Sequence, residues 1–591
     1  MSTPTRWIPL LILMSLLLPL TACQRLQEVQ TLFVTRPTEK MPEYKPVEQL
    51  QVASQNWTPY QRQWFYHTSQ GTVLLPYKWF LALEQPHIKV IGEVPLFRDS
   101  QYLARFGFLP DDASEQNPDG LPVGLAKGTV IDPQTKQNEE VVGLTCAACH
   151  TGQLEYKGKG VRIDGGSATV QLAAFQTELG YAVGYTDKVP FRFDRFAKRV
   201  LGENASEEDK QQLRLQLEAV LAKGLAEQNL ADAKKLYEAQ GGFGRTDALG
   251  RIGNLVFGTE LDNDNLRVAD APVNFPPVWY TSWFDWVQYN GSIQQPMVRN
   301  IGEALGVRAA VNLSNPQAGL YSSTVNVKNL RDMEAQLAGP EPFSGLHAPA
   351  WPESLFGAID QTKAAAGQKL YEQRCQGCHL PPVNSAAIQD QQSKYWAPGL
   401  ENKRFLKMTL IPITEIGTDP KAAVNWQQRT ADTGDLGLGT VSASKGLQVV
   451  TDKIASLNYA ELGLSPDQQT EWNGFRNSGV QAPLAYKARP LAGIWATPPF
   501  LHNGSVPNLY QLLLPAAQRD KTFYTGSREF DPKYVGYSTA LFEGGFEFRT
   551  TDVGNSNAGH EFRNAPLGNG VIGPELTDDE RWAIIEYLKT L

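Results

Sequence analysis

Four of the five cysteines in this 591-residue chain fall in two Cys-x-x-Cys-His segments, Cys146-Ala147-Ala148-Cys149-His150 and Cys375-Gln376-Gly377-Cys378-His379. With five Cys and seven His in all, a shuffled chain holds one such segment roughly once in two thousand trials, so two are not an accident of composition. A thioredoxin-like dithiol or half a zinc site accounts for the cysteines but leaves the trailing histidine unexplained in both places. The residue order is the one that covalent attachment of haem requires. Two thiols add to the vinyl groups, and the next residue turns its imidazole onto the iron. The expected cofactors are two covalently bound haem c groups, attached at Cys146, Cys149, Cys375 and Cys378, with His150 and His379 as proximal ligands.

The fifth cysteine belongs to a different signal. Arg6 precedes an apolar run from Trp7 to Leu20, followed by Leu20-Thr21-Ala22-Cys23. That run falls short of the roughly 20 residues a spanning helix needs, so it reads as a cleaved lipoprotein signal with Cys23 as the lipidated first residue. An acyl chain then gives membrane association without a spanning helix. The chain is expected to be exported, as haem c attachment also requires, and to be periplasmic or outer-membrane-associated in a Gram-negative bacterium. No cysteine is left for a disulfide.

Composition bounds the rest. With 42% hydrophobic and 20% charged residues the chain reads as a folded protein, and a formal charge of −8 with no Lys/Arg cluster excludes nucleic acid as a partner. Residues 1–23 read as the signal, 24–56 as a polar tether, 57–355 as a first haem domain and 356–591 as a second, cytochrome c-like one. The expected fold is mainly α, with two cytochrome c-like haem domains, long irregular loops and an enlarged N-terminal region. Gln361 to Arg374 predicts a helix delivering Cys375, and Thr577-Asp578-Asp579-Glu580 a capped start to the terminal helix. Glu207 to Gln240 predicts a long structural helix.

Several segments carry a resemblance. Residues 486–507, from Tyr486-Lys487-Ala488-Arg489-Pro490 through Leu501-His502-Asn503-Gly504-Ser505-Val506-Pro507, resemble the signature that follows the second haem motif in bacterial di-haem cytochrome c peroxidases. Residues 274–291, 523–532 and Gly554-Asn555-Ser556-Asn557-Ala558-Gly559-His560 resemble the enlarged branch of that superfamily that includes the bacterial rubber oxygenase, which cleaves polyisoprene with dioxygen. The resemblance implies an oxidoreductase and aligns His560 with a distal ligand of the second haem. Substrate does not travel with fold.

Whether such a chain is a catalyst turns on the sixth ligand of each iron, because only a haem with an open face can bind peroxide or dioxygen. Beyond the signal the spare histidines are His67, His87, His347, His502 and His560, and the spare methionines Met41, Met297, Met333 and Met408. His560 is the candidate for the second haem, while His502 reads as a crevice residue and Met408 as core. For the first haem His67 and His87 read as ordinary packed histidines, which leaves the iron open and makes it the expected catalytic centre. Trp279, Trp283 and Trp286 fall at i, i+4 and i+7, one face of a helix if that segment is helical. Trp279 and Trp286 are therefore candidates to wall the pocket or step electrons between haems. The peroxidases that this chain resembles carry a distal acid–base carboxylate in an Asn-Pro-x-Glu-Met element; this chain lacks that element and offers instead Glu303, displaced along Gln295-Pro296-Met297-Val298-Arg299-Asn300-Ile301-Gly302-Glu303, a departure that raises the oxygenase reading. Asp262-Asn263-Asp264-Asn265 offers oxygen ligands for Ca²⁺ but reads better as a turn.

The expected function is a lipid-anchored di-haem oxidoreductase of peroxidase type, activating peroxide or dioxygen at the first haem while the second relays electrons to or from a small redox partner. The alternatives are a dioxygenase acting on an apolar polymer or alkene and a non-catalytic electron-transfer cytochrome.

Overall fold

A computed structural model describes residues 40–87, 92 and 94–591. The signal segment and Cys23 lie outside the described residues. None of the described helices is long and apolar enough to cross a membrane. The chain is 39% helix and 16% strand, which corrects the expectation of a mainly α protein to a mixed α/β one. The strands are short and gather in small sheets of two or three, and the clearest of them surround the first Cys-x-x-Cys-His segment.

Two compact units are present. Among described residues the first comprises 78–99 and 174–230. Its core is aromatic, with Phe80 on Phe97 at 5.9 Å and Trp79 on Phe196 at 5.9 Å between ring centroids. Glu84, almost fully buried, gathers the guanidinium groups of Arg195 and Arg199 at 2.7 and 2.8 Å, with Arg192 alongside. A carboxylate removed from water needs such partners. The helix Glu207–Ala233 begins where Ser206 Oγ accepts from the Asp209 amide at 3.0 Å. It ends short of the expected Gln240, at a turn in which Lys235 takes a left-handed φ of 53°.

The second unit comprises residues 41–77, 100–173 and 231–591, and holds both haem motifs. Gln49–Val52, within the expected tether, runs parallel to Lys159–Asp164, so ordered structure starts ahead of Trp57. Lys159–Asp164 pairs antiparallel with Thr151–Tyr156, and Leu125–Ile131 pairs with Asn138–Leu144. Cys146–Ala148 is the single 3₁₀ turn linking Asn138–Leu144 to Thr151–Tyr156. The second motif is approached by a helix instead, Gln361–Arg374, capped by the Asp360 carboxylate on the Thr362 and Lys363 amides. The terminal helix Asp578–Leu588 opens with the expected capping box between Thr577 and Glu580.

These two helices cross with their backbones nearly in contact. A Cβ on Gly367 would stand 1.9 Å from the Ala583 carbonyl oxygen, and one turn away Tyr371 packs on Tyr587 at 5.3 Å. Gly367→Val is therefore expected to destabilise the protein by about 1–3 kcal/mol or more through overpacking. Gly224→Ala, in the interior of Glu207–Ala233 with open space around it, should be neutral or stabilising by up to about 1 kcal/mol. Thermal unfolding of the two variants checks the contrast.

Candidate haem-binding sites

Each motif histidine is held in the same way. His150 Nδ1 lies 2.7 Å from the carbonyl oxygen of Pro276, and His379 Nδ1 lies 2.8 Å from that of Arg489. A carbonyl only accepts, so in both rings Nδ1 carries the proton and Nε2 keeps its lone pair, the state a metal-binding imidazole needs. Burial pushes the His150 ring down to about 4, and lowers His379 as well, which keeps both neutral. Burial also pushes the Cys146, Cys149 and Cys375 thiols up to about 12, so none of the three is a reactive free thiolate.

The two histidines differ in what stands opposite. The His560 ring faces His379 with centroids 6.1 Å apart and planes inclined at 66°. Two metal–imidazole bonds of about 2.0–2.1 Å in line, plus about 1.1 Å from each nitrogen to its ring centre, give a separation of about 6.3 Å. The pair therefore fits one iron between two imidazoles. Among the described residues no imidazole faces His150 in that way. His67 has both ring nitrogens engaged, by Leu125 O and Asp111 Oδ2 at 2.9 Å each. His87 is exposed and bonded to Gln85, His347 lies beside Tyr280, and His502 is stacked on Tyr486 at 4.0 Å. Met297 and Met408 are core residues. Met333 Sδ accepts at 3.3 Å from Gln70 Nε2, an amide that also reaches Cys146 Sγ at 2.8 Å, which sets this sulfur beside the attachment cysteine.

Several deep side chains keep part of their surface uncovered. These are Cys146, Cys149 and His150, with Glu303, Tyr289, Lys487 and Arg489, and separately His379 and His560. Lys487 Nζ finds no hydrogen-bond acceptor among the described residues and sits 5.2 Å from the Phe284 ring centre. Burial, helped by Arg489, pushes its ammonium down to about 7. Among the described residues Arg489 hydrogen-bonds to the carbonyls of Pro490 and Ala492. Lys487, with Asp285 acting on it through charge but not as an ion pair, and Arg489 suit a cofactor that brings its own carboxylates, as haem does with its propionates.

Around the first motif the helix Pro296–Gly306 carries Arg299 and Glu303 at i and i+4, on one face. Arg299 pairs with the buried Glu334, which also accepts from Asn300 at 3.2 Å. Glu303 Oε1 accepts from Gln288 Nε2 at 2.9 Å. Its carboxyl is raised above the ordinary range, burial outweighing the nearby Arg299. The three tryptophans do not form a helical face. Pro276 and Pro277 precede them, Tyr280 takes a left-handed φ of 64°, and only Thr281–Trp283 forms a single 3₁₀ turn. Their indoles diverge, with Trp279 donating to Ala492 O at 2.9 Å and Trp283 to Ala338 O at 2.8 Å, while Trp286 packs near Gly479. Trp279 is fully buried, three residues beyond the carbonyl that holds His150. Its own acceptor, Ala492, is three residues beyond the carbonyl that holds His379.

His560 ends a loop whose carbonyls are tied to side chains that spacing gave no reason to single out. Asn503 Nδ2 donates to Gly554 O and Ser556 O at 3.0 Å each, Ser505 Oγ to Ser556 O, and buried Arg245 to the Asn555 side chain at 2.6 Å. The segments 486–507 and 554–560, noted separately in the sequence, are thus one structural feature. Asp262-Asn263-Asp264-Asn265 is a turn, with Asp262 capping the Asp264 amide at 2.8 Å and Asn265 bonded to Asp432. No cluster of three or more metal-binding side chains occurs among the described residues.

Residues 485–524 match the family described as RoxA-like, cytochrome c-like. The chain is similar to the uncharacterized protein y4iJ of Sinorhizobium fredii (strain NBRC 101917 / NGR234), at 48% identity over 573 residues, covering 93% of this chain and 95% of that one. It is also similar to the uncharacterized protein y4iM of the same organism, at 26% identity over 266 residues, 45% of this chain and 49% of that one.

His502 supplies a test of how rigidly this region is built. Burial, helped by Arg245, pushes its ring from 6.5 down to about 3. The unfolded chain therefore binds a proton that the folded one refuses between those values, and stability rises with pH across that window and is lost on acidification. His502→Phe keeps a ring on Tyr486 and removes the titration. Urea unfolding at pH 6.5 and pH 4.5 should show a smaller loss of stability in the variant than in the wild type.

Proposed function

We propose the following reading of a chain that belongs to the family of the Sinorhizobium fredii protein y4iJ: it is an exported di-haem c-type cytochrome that reduces peroxide at the first haem and relays electrons through the second. The coarse part, a cytochrome c-like segment that hints at haem redox work, rests on the match at residues 485–524. The finer part is carried by one asymmetry. His379 has an opposed imidazole at 6.1 Å, and His150 has none among the described residues. Haem iron supplies a one-electron couple and, where a coordination position is open, a binding place for a small oxidant.

The side chains have separable roles in this reading. Pro276 O and Arg489 O orient the proximal rings, and His560 closes the second site. Glu303, deep in the protein and raised toward its neutral form, holds the proton that an O–O bond needs as it breaks, with Gln288 fixing the carboxyl. That carboxyl favours peroxide over dioxygen as the oxidant. Trp279 stands between the two carbonyl supports and is the candidate electron step, while Trp286 at most walls the pocket. The apolar run ahead of Cys23 supports export and a lipid anchor.

Optical and spin-resonance spectra of the purified protein, as isolated, after peroxide and after exposing the reduced form to air, test the reading. One low-spin haem indifferent to the oxidant and one that reacts are expected. Two low-spin irons inert to both oxidants would leave only an electron-transfer cytochrome. Glu303→Gln should slow peroxide consumption by about 10²-fold or more while the haem content is unchanged.

A further inference from the structure

Six hydrogen bonds converge on one guanidinium beside His560. Arg519, 2% exposed, donates from Nη1 to Asn557 O at 2.6 Å and Gly559 O at 2.9 Å. Nη2 reaches His560 O at 2.9 Å and the carbonyls of Leu512 and Leu514 at 3.2 Å each, and Nε reaches Gln511 O at 3.2 Å. Every acceptor is a backbone oxygen. A buried arginine is ordinarily neutralised by a carboxylate. The acid in its surroundings, Glu561, spends its oxygens on the Ala516 amide at 2.7 Å and on Arg563 at 3.3 Å.

Three of the six acceptors belong to the run into His560. That residue takes a left-handed φ of 42°, which a side-chain-bearing residue rarely adopts without being held. Its amide is fixed on the other side, donating to Ile416 O at 2.9 Å. Gly559 is pressed against the neighbouring chain so closely that a Cβ there would lie 2.3 Å from the Gly417 carbonyl carbon. The peptide groups on both sides of the His560 Cα are thus fixed, and among the described residues Arg519 is the side chain that ties the loop at Asn557, Gly559 and His560 to the segment 511–514.

We propose that Arg519 is the positioning residue for the sixth ligand of the second haem. By holding the carbonyls of Asn557, Gly559 and His560, the guanidinium keeps the imidazole opposed to His379 and makes the second site one that does not exchange ligands. A planar five-donor fork can span six carbonyls, whereas the single ammonium of lysine cannot. The proposal rests on the reading of His560 as that ligand, and contacts that orient a ligand from behind typically change metal binding by about 10–100-fold.

The test uses the full haem-loaded chain and three variants, His560→Ala, Arg519→Met and Arg519→Lys. The readouts are the low-spin spin-resonance signal, the stoichiometry of carbon monoxide binding to the reduced protein, and the response to added imidazole. His560→Ala should convert one low-spin haem to high-spin, raise carbon monoxide binding from one to two per chain, and regain the low-spin signal with imidazole. Arg519→Met should show the same changes in part, with a high-spin fraction that imidazole abolishes. Arg519→Lys should do likewise and serves if the Met variant does not accumulate. Arg519 variants with the full low-spin signal and one carbon monoxide per chain, alongside an altered His560→Ala, overturn the positioning role and leave the ligand reading standing. An unaltered His560→Ala overturns both.

Discussion

The arrangement depends on two backbone carbonyls, those of Pro276 and Arg489, each accepting from Nδ1 of a motif histidine. A Cys-x-x-Cys-His segment specifies which residue can reach a metal but not which nitrogen, nor the plane of the ring. The carbonyl settles both, because an acceptor at Nδ1 leaves Nε2 as the only free lone pair. Each carbonyl is delivered from far along the chain, 126 residues from His150 and 110 from His379. The long stretches that follow each motif are therefore part of how the motif is held. Trp279 follows from the same geometry, since its segment supplies one carbonyl and its indole is anchored close to the other.

The sequence was most informative where chemistry is local. Two Cys-x-x-Cys-His segments, a capping box at Thr577 and a Pro-free helix former at Gln361–Arg374 need nothing beyond a few neighbouring residues, and the last two are found where they were expected. His560 was reachable because a short list of spare histidines and a family resemblance converged on it. The strands around the first motif were not legible. They span two to seven residues, they pair across breaks in sequence, and the Gly- and Asp-rich run ahead of Cys146 reads as loop. The tryptophan periodicity misled for a definable reason: spacing of 4 and 3 suggests a helix only if the backbone can be helical. Two prolines ahead of a left-handed tyrosine prevent that.

Arg245, Asn503 and Arg519 form a third class. Arg245 and Arg519 stand in no segment that the sequence marked and Asn503 only inside the signature at 486–507, and each acts on a carbonyl or amide 38 to 310 residues away. Buried arginines bonded mainly to the main chain are costly to desolvate, and they persist where a loop has to be held in one shape. The loop they hold here ends in the imidazole that faces His379. A residue of this kind is legible only after folding, because its partners are oxygens that every residue possesses.

The two sites differ in kind as well as in what faces the motif histidine. Around His560 the Arg519 guanidinium, the close-packed Gly559 and the bonded amide hold the backbone. Around His150 the polar groups are side chains: Gln70 on Cys146, Gln288 on Glu303, Arg299 on Glu334. Side chains can shift by a rotamer and carry protons, whereas tied carbonyls do neither. Lys487 and Arg489 are enclosed cations that form no ion pair among the described residues. A haem held near them would bring carboxylates that offset the cost of enclosing them.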